Sequence, residues 1–109
     1  ICPLNWHVPS ETEQDQLVQE LGGLAEAGQY LKASPVIPGS SGYNAIMTGD
    51  RDPGTGNLFT SIDDYDTFWT ATQMGATTAR FRFVARLNPT VVESTDPKKW
   101  SVALRCLKD

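Results

Sequence analysis

The sequence predicts an α+β domain in which two helices come first and antiparallel strands follow. Ser10 and Glu13 have the spacing of a capping box, so a helix is expected to begin after Ser10 and to run to Leu21. Its apolar stripe, at helical spacing, consists of Leu17, Val18, Leu21 and Leu24. Residues 79–87 alternate instead with a period of two, which is typical of a strand.

The first half of the chain reads as helix, helix, loop and short strand. Gly22 and Gly23 are expected to end the first helix, because glycine adopts the left-handed conformation at a helix end. A second helix is predicted over residues 24–32, where Ala27 and Gly28 are small enough to allow close packing on a neighbour. Prolines and glycine predict a loop at residues 33–41, and residues 42–47 are a strand candidate with Tyr43, Ala45 and Met47 on one side.

The middle of the chain combines turns with a strand. Residues 48–57 are rich in turn residues, a short strand begins at Leu58, and residues 61–66 form an acidic connection. Residues 65–72 are predicted to be a strand, since they combine Phe68 and Trp69 with β-branched threonines.

Residues 79–87 have one apolar face and one mostly charged face. The apolar face consists of Phe81, Phe83, Ala85 and Leu87, and the other of Arg80, Arg82, Val84 and Arg86. A return strand is expected at residues 91–93, a turn at Asp96–Pro97, and a last strand over residues 100–107 that carries Trp100 and Cys106.

Size and composition restrict the function classes. A chain of 109 residues with 39% hydrophobic residues is expected to form one compact domain over residues 1–109. No apolar run approaches the roughly 18 residues of a membrane helix. A net charge of −4 argues against nucleic acid as a partner, because phosphate binding requires a basic face. The chain starts without Met inside a strand-like stretch, so we interpret it as part of a longer precursor.

The two cysteines, Cys2 and Cys106, lie at opposite ends of the chain. Two buried thiols would fit a cytosolic protein, and one disulfide would fit an exported protein. The strand-like segments that flank both cysteines favour the disulfide. A bridged pair would also exclude cysteine catalysis assisted by His7, the only histidine.

The candidate ligand-binding side chains are the acidic residues of the loops and the aromatic residues. Oxygen donors suited to calcium are concentrated in the loops at Asp50, Asp52, Asn57, Asp63, Asp64 and Asp66. The EF-hand order is absent, and a solvated turn region is the favoured interpretation, so neither a metal nor a cofactor is predicted. Most aromatic residues are expected in the core, and Tyr65, beside acids in a loop, is the best candidate for an exposed aromatic residue. No glycine-rich phosphate-binding loop is present.

Six stretches of the chain form an ordered set of short motifs. The opening one has Cys2, Pro3, Trp6, His7, Pro9, Ser10 and Glu13, and the others are residues 21–32, 42–45, 56–59, 68–72 and 101–109. In this order they resemble the Fibrobacter succinogenes major paralogous domain family. Asn5 stands where the family has glycine, and Gln14 where it has tryptophan.

The resemblance implies a C-type-lectin-like fold, with two N-terminal helices packed on mixed antiparallel sheets and adjacent N- and C-terminal strands. It also explains the placement of Cys2 and Cys106 in those strands. Family members are typically exported, often as surface lipoproteins of Bacteroidetes-type bacteria, which makes the precursor a candidate for a lipid anchor. The calcium and sugar motifs of true C-type lectins are absent, as is the active-site cysteine pair of the related formylglycine-generating enzymes.

Three functional hypotheses follow. The first is a noncatalytic recognition module, exported to the cell surface or beyond, that binds a glycan or a protein through loops at residues 35–41, 50–57 and 63–65. Its predicted ligand-binding residues are Asp50, Asp52, Asn57, Asp64 and Tyr65. The second is a structural or assembly domain of a larger surface protein, and the third an enzyme of the formylglycine-generating type. A groove lined by exposed aromatic and carboxylate side chains would favour the first.

Overall fold

The structure, a computed structural model, describes residues 1–32, 41–56 and 58–109. It is an α+β domain with two short helices and several antiparallel sheets, as predicted. The first elements in the chain are β1 (Trp6–His7), α1 (Glu11–Glu20), α2 (Ala27–Leu31) and β2 (Asp50–Arg51). A 3-10 turn (Pro53–Thr55) and the strands β3 (Phe59–Thr60), β4 (Tyr65–Gln73), β5 (Thr78–Ala85), β6 (Val91–Pro97) and β7 (Leu107–Lys108) follow.

The predicted capping box begins α1. The Ser10 hydroxyl accepts a hydrogen bond from the Glu13 backbone N–H (3.3 Å), and the Glu13 carboxylate accepts one from the Ser10 backbone N–H (2.9 Å). The helix ends at Leu21, and Gly22 follows with a φ of +99°. Local chemistry therefore sets both ends of this helix as the sequence predicts.

The second helix, α2, is shorter than the predicted span of residues 24–32. The Leu24 carbonyl accepts a hydrogen bond from the backbone N–H of Val91 (2.8 Å). This carbonyl therefore points to the sheet, and Leu24 is not part of the helix. Close packing through small residues is confirmed, because Ala27 is fully buried and a Cβ at Gly28 would lie 2.6 Å from the carbonyl oxygen of Pro89. The helix is thereby fixed against the β5–β6 connection.

The central sheet has the order β4-β5-β6 and is antiparallel throughout. Three separate segments lie along the outer edge of β4. They form backbone hydrogen bonds with β4 through Gly49, Ala103 and Pro9. The return strand predicted at residues 91–93 is longer in the structure, where β6 runs to Pro97. Asp96 and Pro97 therefore belong to this strand and not to the predicted turn. The strand predicted over residues 79–87 ends at Ala85.

The alternation predicted for β5 is confirmed, and its charged face is the one that meets the helices, which the sequence pattern did not specify. Arg82 is 0% exposed, and its guanidinium forms ion pairs with Asp15 of α1 and with Glu93 of β6 (2.8 Å). Val84, on the same face, joins the core that α1 and α2 cover. The pairing of one cation with two carboxylates allows this face to be buried.

Two predicted strands do not form over their full length. Residues 42–47 make one isolated bridge, between Ala45 and Lys32, because Asn44 and Met47 have φ values of +55° and +53° that an extended strand cannot accommodate. The strand predicted over residues 100–107 is reduced to isolated bridges at Ser101 and Ala103, with β7 beginning only at Leu107.

The two ends of the chain lie side by side, as predicted. β1 pairs with β7 in antiparallel register, and Cys2 and Cys106 form a disulfide. The His7 ring bridges the same region, with Nδ1 2.6 Å from Oδ1 of Asp109 and Nε2 2.9 Å from Oε1 of Glu13. The hydrogen bond to Asp109, followed by that to Glu13, raises the pKa of His7. The termini are therefore held by backbone, covalent and polar contacts together.

Removal of the Arg82 charge tests the packing of the sheet on α1. We expect Arg82→Met to lower the free energy of unfolding by about 2–4 kcal/mol, because it leaves Glu93 half-buried without its cation. Arg86→Met is the matched control, since Arg86 is exposed and 4.0 Å from Asp64, and it should change stability by less than about 0.5 kcal/mol. Equal urea denaturation midpoints for the two variants would contradict the role given to Arg82.

The disulfide can be tested by thiol alkylation and mass measurement. The native protein should take up no reagent before reduction and two equivalents after it, because the chain has 2 cysteines and both are bridged. Reduction should also lower stability by up to about 4–5 kcal/mol, since the bridge closes a loop of nearly the whole chain. Cys2→Ser/Cys106→Ser provides the control, with the same melting temperature in the presence and absence of reductant. Alkylation before reduction would refute the bridge.

Candidate functional site

The sheet face opposite the helices carries a row of aromatic side chains. Because facing residues of antiparallel strands lie on the same side, Thr67 of β4 aligns with Phe83 of β5, and Phe81 aligns with Ser94 of β6. The rings of Tyr65 and Phe83 meet edge to face with centroids 5.5 Å apart, and those of Phe81 and Phe83 stack at 6.3 Å. This face is apolar and is not covered by either helix.

A turn after β6 brings a further aromatic residue to this face. The Trp100 backbone N–H donates to the Pro97 carbonyl (3.1 Å), and the next residue, Ser101, exchanges two backbone hydrogen bonds with Arg51 (2.8 and 3.0 Å). Arg51 belongs to β2, so these bonds place Trp100 beside the β2–β3 hairpin and its acidic residue Asp50. The hairpin and the turn thus form the rim of a depression over the sheet.

We call this depression the aromatic groove, and its volume is about 260 Å³. Its aromatic lining consists of Tyr65, Phe81, Phe83 and Trp100. Its polar lining consists of the hydroxyl residues Ser61, Thr67 and Ser94 and the carboxylates Asp50 and Asp96. The groove therefore combines flat apolar surfaces with a small number of hydrogen-bonding groups, which is typical of ligand sites.

The two carboxylates of the groove differ in their hydrogen bonding. Asp50 accepts a hydrogen bond from the Thr60 hydroxyl (2.8 Å), whereas no residue in the described ranges donates to the Asp96 carboxylate. Burial raises the pKa of Asp96, and the charges of Asp50 and Asp52 raise it further. Asp96 is thus a half-buried carboxylate whose charged form lacks a protein partner.

The predicted ligand residues fall into three groups. Asp50 and Tyr65, which is 38% exposed, line the aromatic groove. Asp52 and Asp64 do not line it: Asp52 caps the 3-10 turn by accepting from the Gly54 backbone N–H (2.7 Å), and Asp64 is exposed beside Arg86. Asn57, and most of the predicted binding loop at residues 35–41, lie outside the described residues.

Seven of the nine lining residues were not among the predicted ligand residues: Ser61, Thr67, Phe81, Phe83, Ser94, Asp96 and Trp100. Aromatic residues were expected in the core, which is confirmed for Phe81 (6% exposed), whereas Phe83 and Trp100 are only partly buried. Asp96 was expected in a turn and lies in β6. The alternation of residues 79–87 did separate Phe81 and Phe83 from Arg82 and Val84 correctly. It could not show which of these two faces the helices would cover.

A second cavity, of about 280 Å³, lies between α1 and the sheet. It is lined mainly by core side chains, among them Val18, Leu31 and Val91, and by the disulfide residue Cys106. These side chains already hold the helices on the sheet, so we attribute this cavity to core packing and take the aromatic groove as the candidate site.

The described residues contain neither a cluster of potential metal ligands nor a helix that could span a membrane. No group of three or more His, Cys, Asp and Glu side chains there is arranged to hold a metal ion. Neither of the two described helices has the length and apolar character that crossing a membrane requires.

Comparison with protein families matches residues 1–108 to the Fibrobacter succinogenes major domain. The chain belongs to this family. The matched residues include both disulfide cysteines and every lining residue of the groove, so the resemblance seen in stretches along the sequence is confirmed over nearly the whole chain. Comparison with the curated proteins and with the solved structures gives no match.

The charged carboxylate of Asp96, which lacks a hydrogen-bond donor among the described residues, is expected to lower the stability of the folded domain. Because its pKa in the folded state lies above the unfolded value of 3.8, its charge destabilises the fold at neutral pH, and this penalty disappears below about pH 3.8. We expect Asp96→Asn to raise the melting temperature at pH 7 by about 1–3 °C and to have no such effect near pH 3.5.

Asp63→Asn is the matched control, because Asp63 is exposed and does not line the groove. It should shift the melting temperature by less than about 1 °C at either pH. A destabilised Asp96→Asn variant at pH 7 would show that Asp96 has a structural role instead.

Proposed function

We propose that this domain is a noncatalytic recognition module, exported to the cell surface, and that its aromatic groove binds a glycan. The observation that carries the proposal is the groove itself, in which four aromatic rings are combined with two carboxylates and three hydroxyl side chains. Sugar rings have apolar C–H faces that pack on aromatic rings, and hydroxyl groups that donate to carboxylates.

A C-type-lectin-like scaffold is part of this proposal. It is supported by the adjacent terminal strands β1 and β7, by the two helices on one face of the sheet, and by the disulfide between the chain ends. The disulfide also supports export, because such bonds persist in oxidising compartments. A surface lipoprotein of the kind common in the family fits these features.

A noncatalytic role is favoured over an enzyme of the formylglycine-generating type. That chemistry needs a free cysteine thiolate, and both cysteines of this chain are joined in the disulfide. Among the described residues that line the groove there is no histidine, lysine or cysteine, and its ionisable groups are the carboxylates of Asp50 and Asp96 and the phenol of Tyr65.

A structural or assembly domain is the second candidate, and one observation favours it. The Val91 backbone N–H points away from β5, to the Leu24 carbonyl, so the N–H groups of Glu93 and Thr95 point to the same outer edge. No acceptor for them lies in the described residues. An open strand edge can pair with a strand of another chain, which would give a protein partner.

Truncation of Trp100 tests the glycan proposal. We expect Trp100→Ala to weaken retention by a soluble polysaccharide in affinity electrophoresis by about tenfold or more, since hot-spot contacts centre on buried aromatic residues. Trp6→Ala is the control, because Trp6 lies in β1, is 44% exposed and does not line the groove. A native protein that no glycan retards, or a Trp100→Ala variant that behaves like Trp6→Ala, would contradict the proposal.

A further inference from the structure

We infer that the aromatic groove selects a ligand with a positive charge, namely an amino sugar with a free amine, over its neutral or acidic counterparts. The inference rests on the proposed function, since it names the class of glycan that the same groove takes. It follows from the charges of the groove and from the position of the aromatic rings beside them.

The protein supplies no cation to the groove. Its lining contains two carboxylates, Asp50 and Asp96, and neither lysine nor arginine. Four cations next to it in sequence do not line it. Lys98 donates to the Gln73 side chain (2.9 Å), and Lys99 lines a separate depression beside Lys98. The Arg51 guanidinium lies over the Phe59 ring (6.0 Å), and Nε of Arg80 lies 3.0 Å from the Glu11 carboxylate, on the helix side of the sheet. The negative charge of the groove is therefore left for a ligand to neutralise.

Burial of the Asp96 carboxylate under a neutral ligand costs binding free energy. A ligand that fills the groove removes water from this half-buried carboxylate, which has no hydrogen-bond donor among the described residues. A hydroxyl group recovers part of the lost hydration, whereas an ammonium group forms a charge-assisted hydrogen bond that is roughly twice as strong. An acidic sugar would face two like charges and be repelled.

The aromatic rings strengthen the same preference. The face of an aromatic ring carries negative partial charge and attracts a cation within about 6 Å. Tyr65, Phe83 and Trp100 line the groove together with the carboxylates, so both kinds of group face an ammonium group bound in the groove. The groove volume, about 260 Å³, lies just below the range of pockets for drug-sized ligands, which suits a single sugar ring.

The test is isothermal titration calorimetry with two trisaccharides of equal length. One is a trimer of β-1,4-linked glucosamine, with free amines, and the other is its fully N-acetylated form. We expect the amine form to bind about tenfold more tightly, since each factor of ten corresponds to about 1.4 kcal/mol. This advantage should shrink as salt is added.

Two variants of equal net charge distinguish specific binding in the groove from nonspecific attraction of a cation to an acidic protein. Asp96→Asn should reduce binding of the amine trisaccharide by about fivefold or more and leave the N-acetylated form nearly unchanged. Asp63→Asn, an exposed carboxylate outside the groove, should alter neither by more than about twofold. Equal losses in the two variants would overturn the inference, because the attraction would then be nonspecific.

The remaining outcomes distinguish this inference from the proposed function. If the N-acetylated trisaccharide binds as tightly as the amine form, and Trp100→Ala abolishes both, the inference is overturned and the glycan function stands. If neither trisaccharide binds, the inference is overturned whatever a glycan survey shows. If tetramethylammonium chloride binds in an Asp96-dependent manner while neither trisaccharide binds and no glycan retards the protein, the groove is an ammonium site, and both the amino sugar and the glycan function are overturned.

Discussion

The buried guanidinium of Arg82 determines which face of the central sheet packs against the helices. It lies between Asp15 of α1 and Glu93 of β6, so this face of β5 must turn toward the helices. Because side chains alternate along a strand, Phe81 and Phe83 then have to occupy the opposite face. The aromatic groove exists because the charged face, and not the aromatic one, was selected for burial against α1.

The groove is assembled from segments that are distant in sequence. Asp50 comes from the β2–β3 hairpin, Tyr65 from the start of β4, and Asp96 and Trp100 from the end of β6 and the turn after it. The paired backbone bonds between Arg51 and Ser101 join the first and last of these segments. The terminal strands and the disulfide close the chain around the same sheet, so a recognition surface can be presented on a rigid scaffold.

Features set by local chemistry were predictable from the sequence. The capping box of Ser10 and Glu13 needs only its own residues, and the strands at β4 and β5 follow from alternation and β-branched content. The burial of Arg82 was not predictable, because it depends on two carboxylates, Asp15 and Glu93, that are brought in from other elements.

The candidate site was predictable only in part, for the same reason. Asp50 and Tyr65 were found as polar and aromatic residues in loops, but Asp64 beside them points to Arg86 instead. Trp100 was expected in a regular strand, and only the turn closed by the Pro97 carbonyl carries it to the groove. Positive φ values at residues such as Met47, which leave no trace in the sequence pattern, broke another predicted strand.

The most direct measurement is a nitrogen–proton NMR titration that follows the indole N–H signals of the 3 tryptophans as a glucosamine trisaccharide is added. Trp100 lines the groove, whereas Trp6 lies in β1 at the paired termini. A ligand-dependent shift of the Trp100 signal with an unchanged Trp6 signal is the expected result. A shift of Trp6 without Trp100 would place the ligand elsewhere and contradict the assignment of the aromatic groove as the binding site.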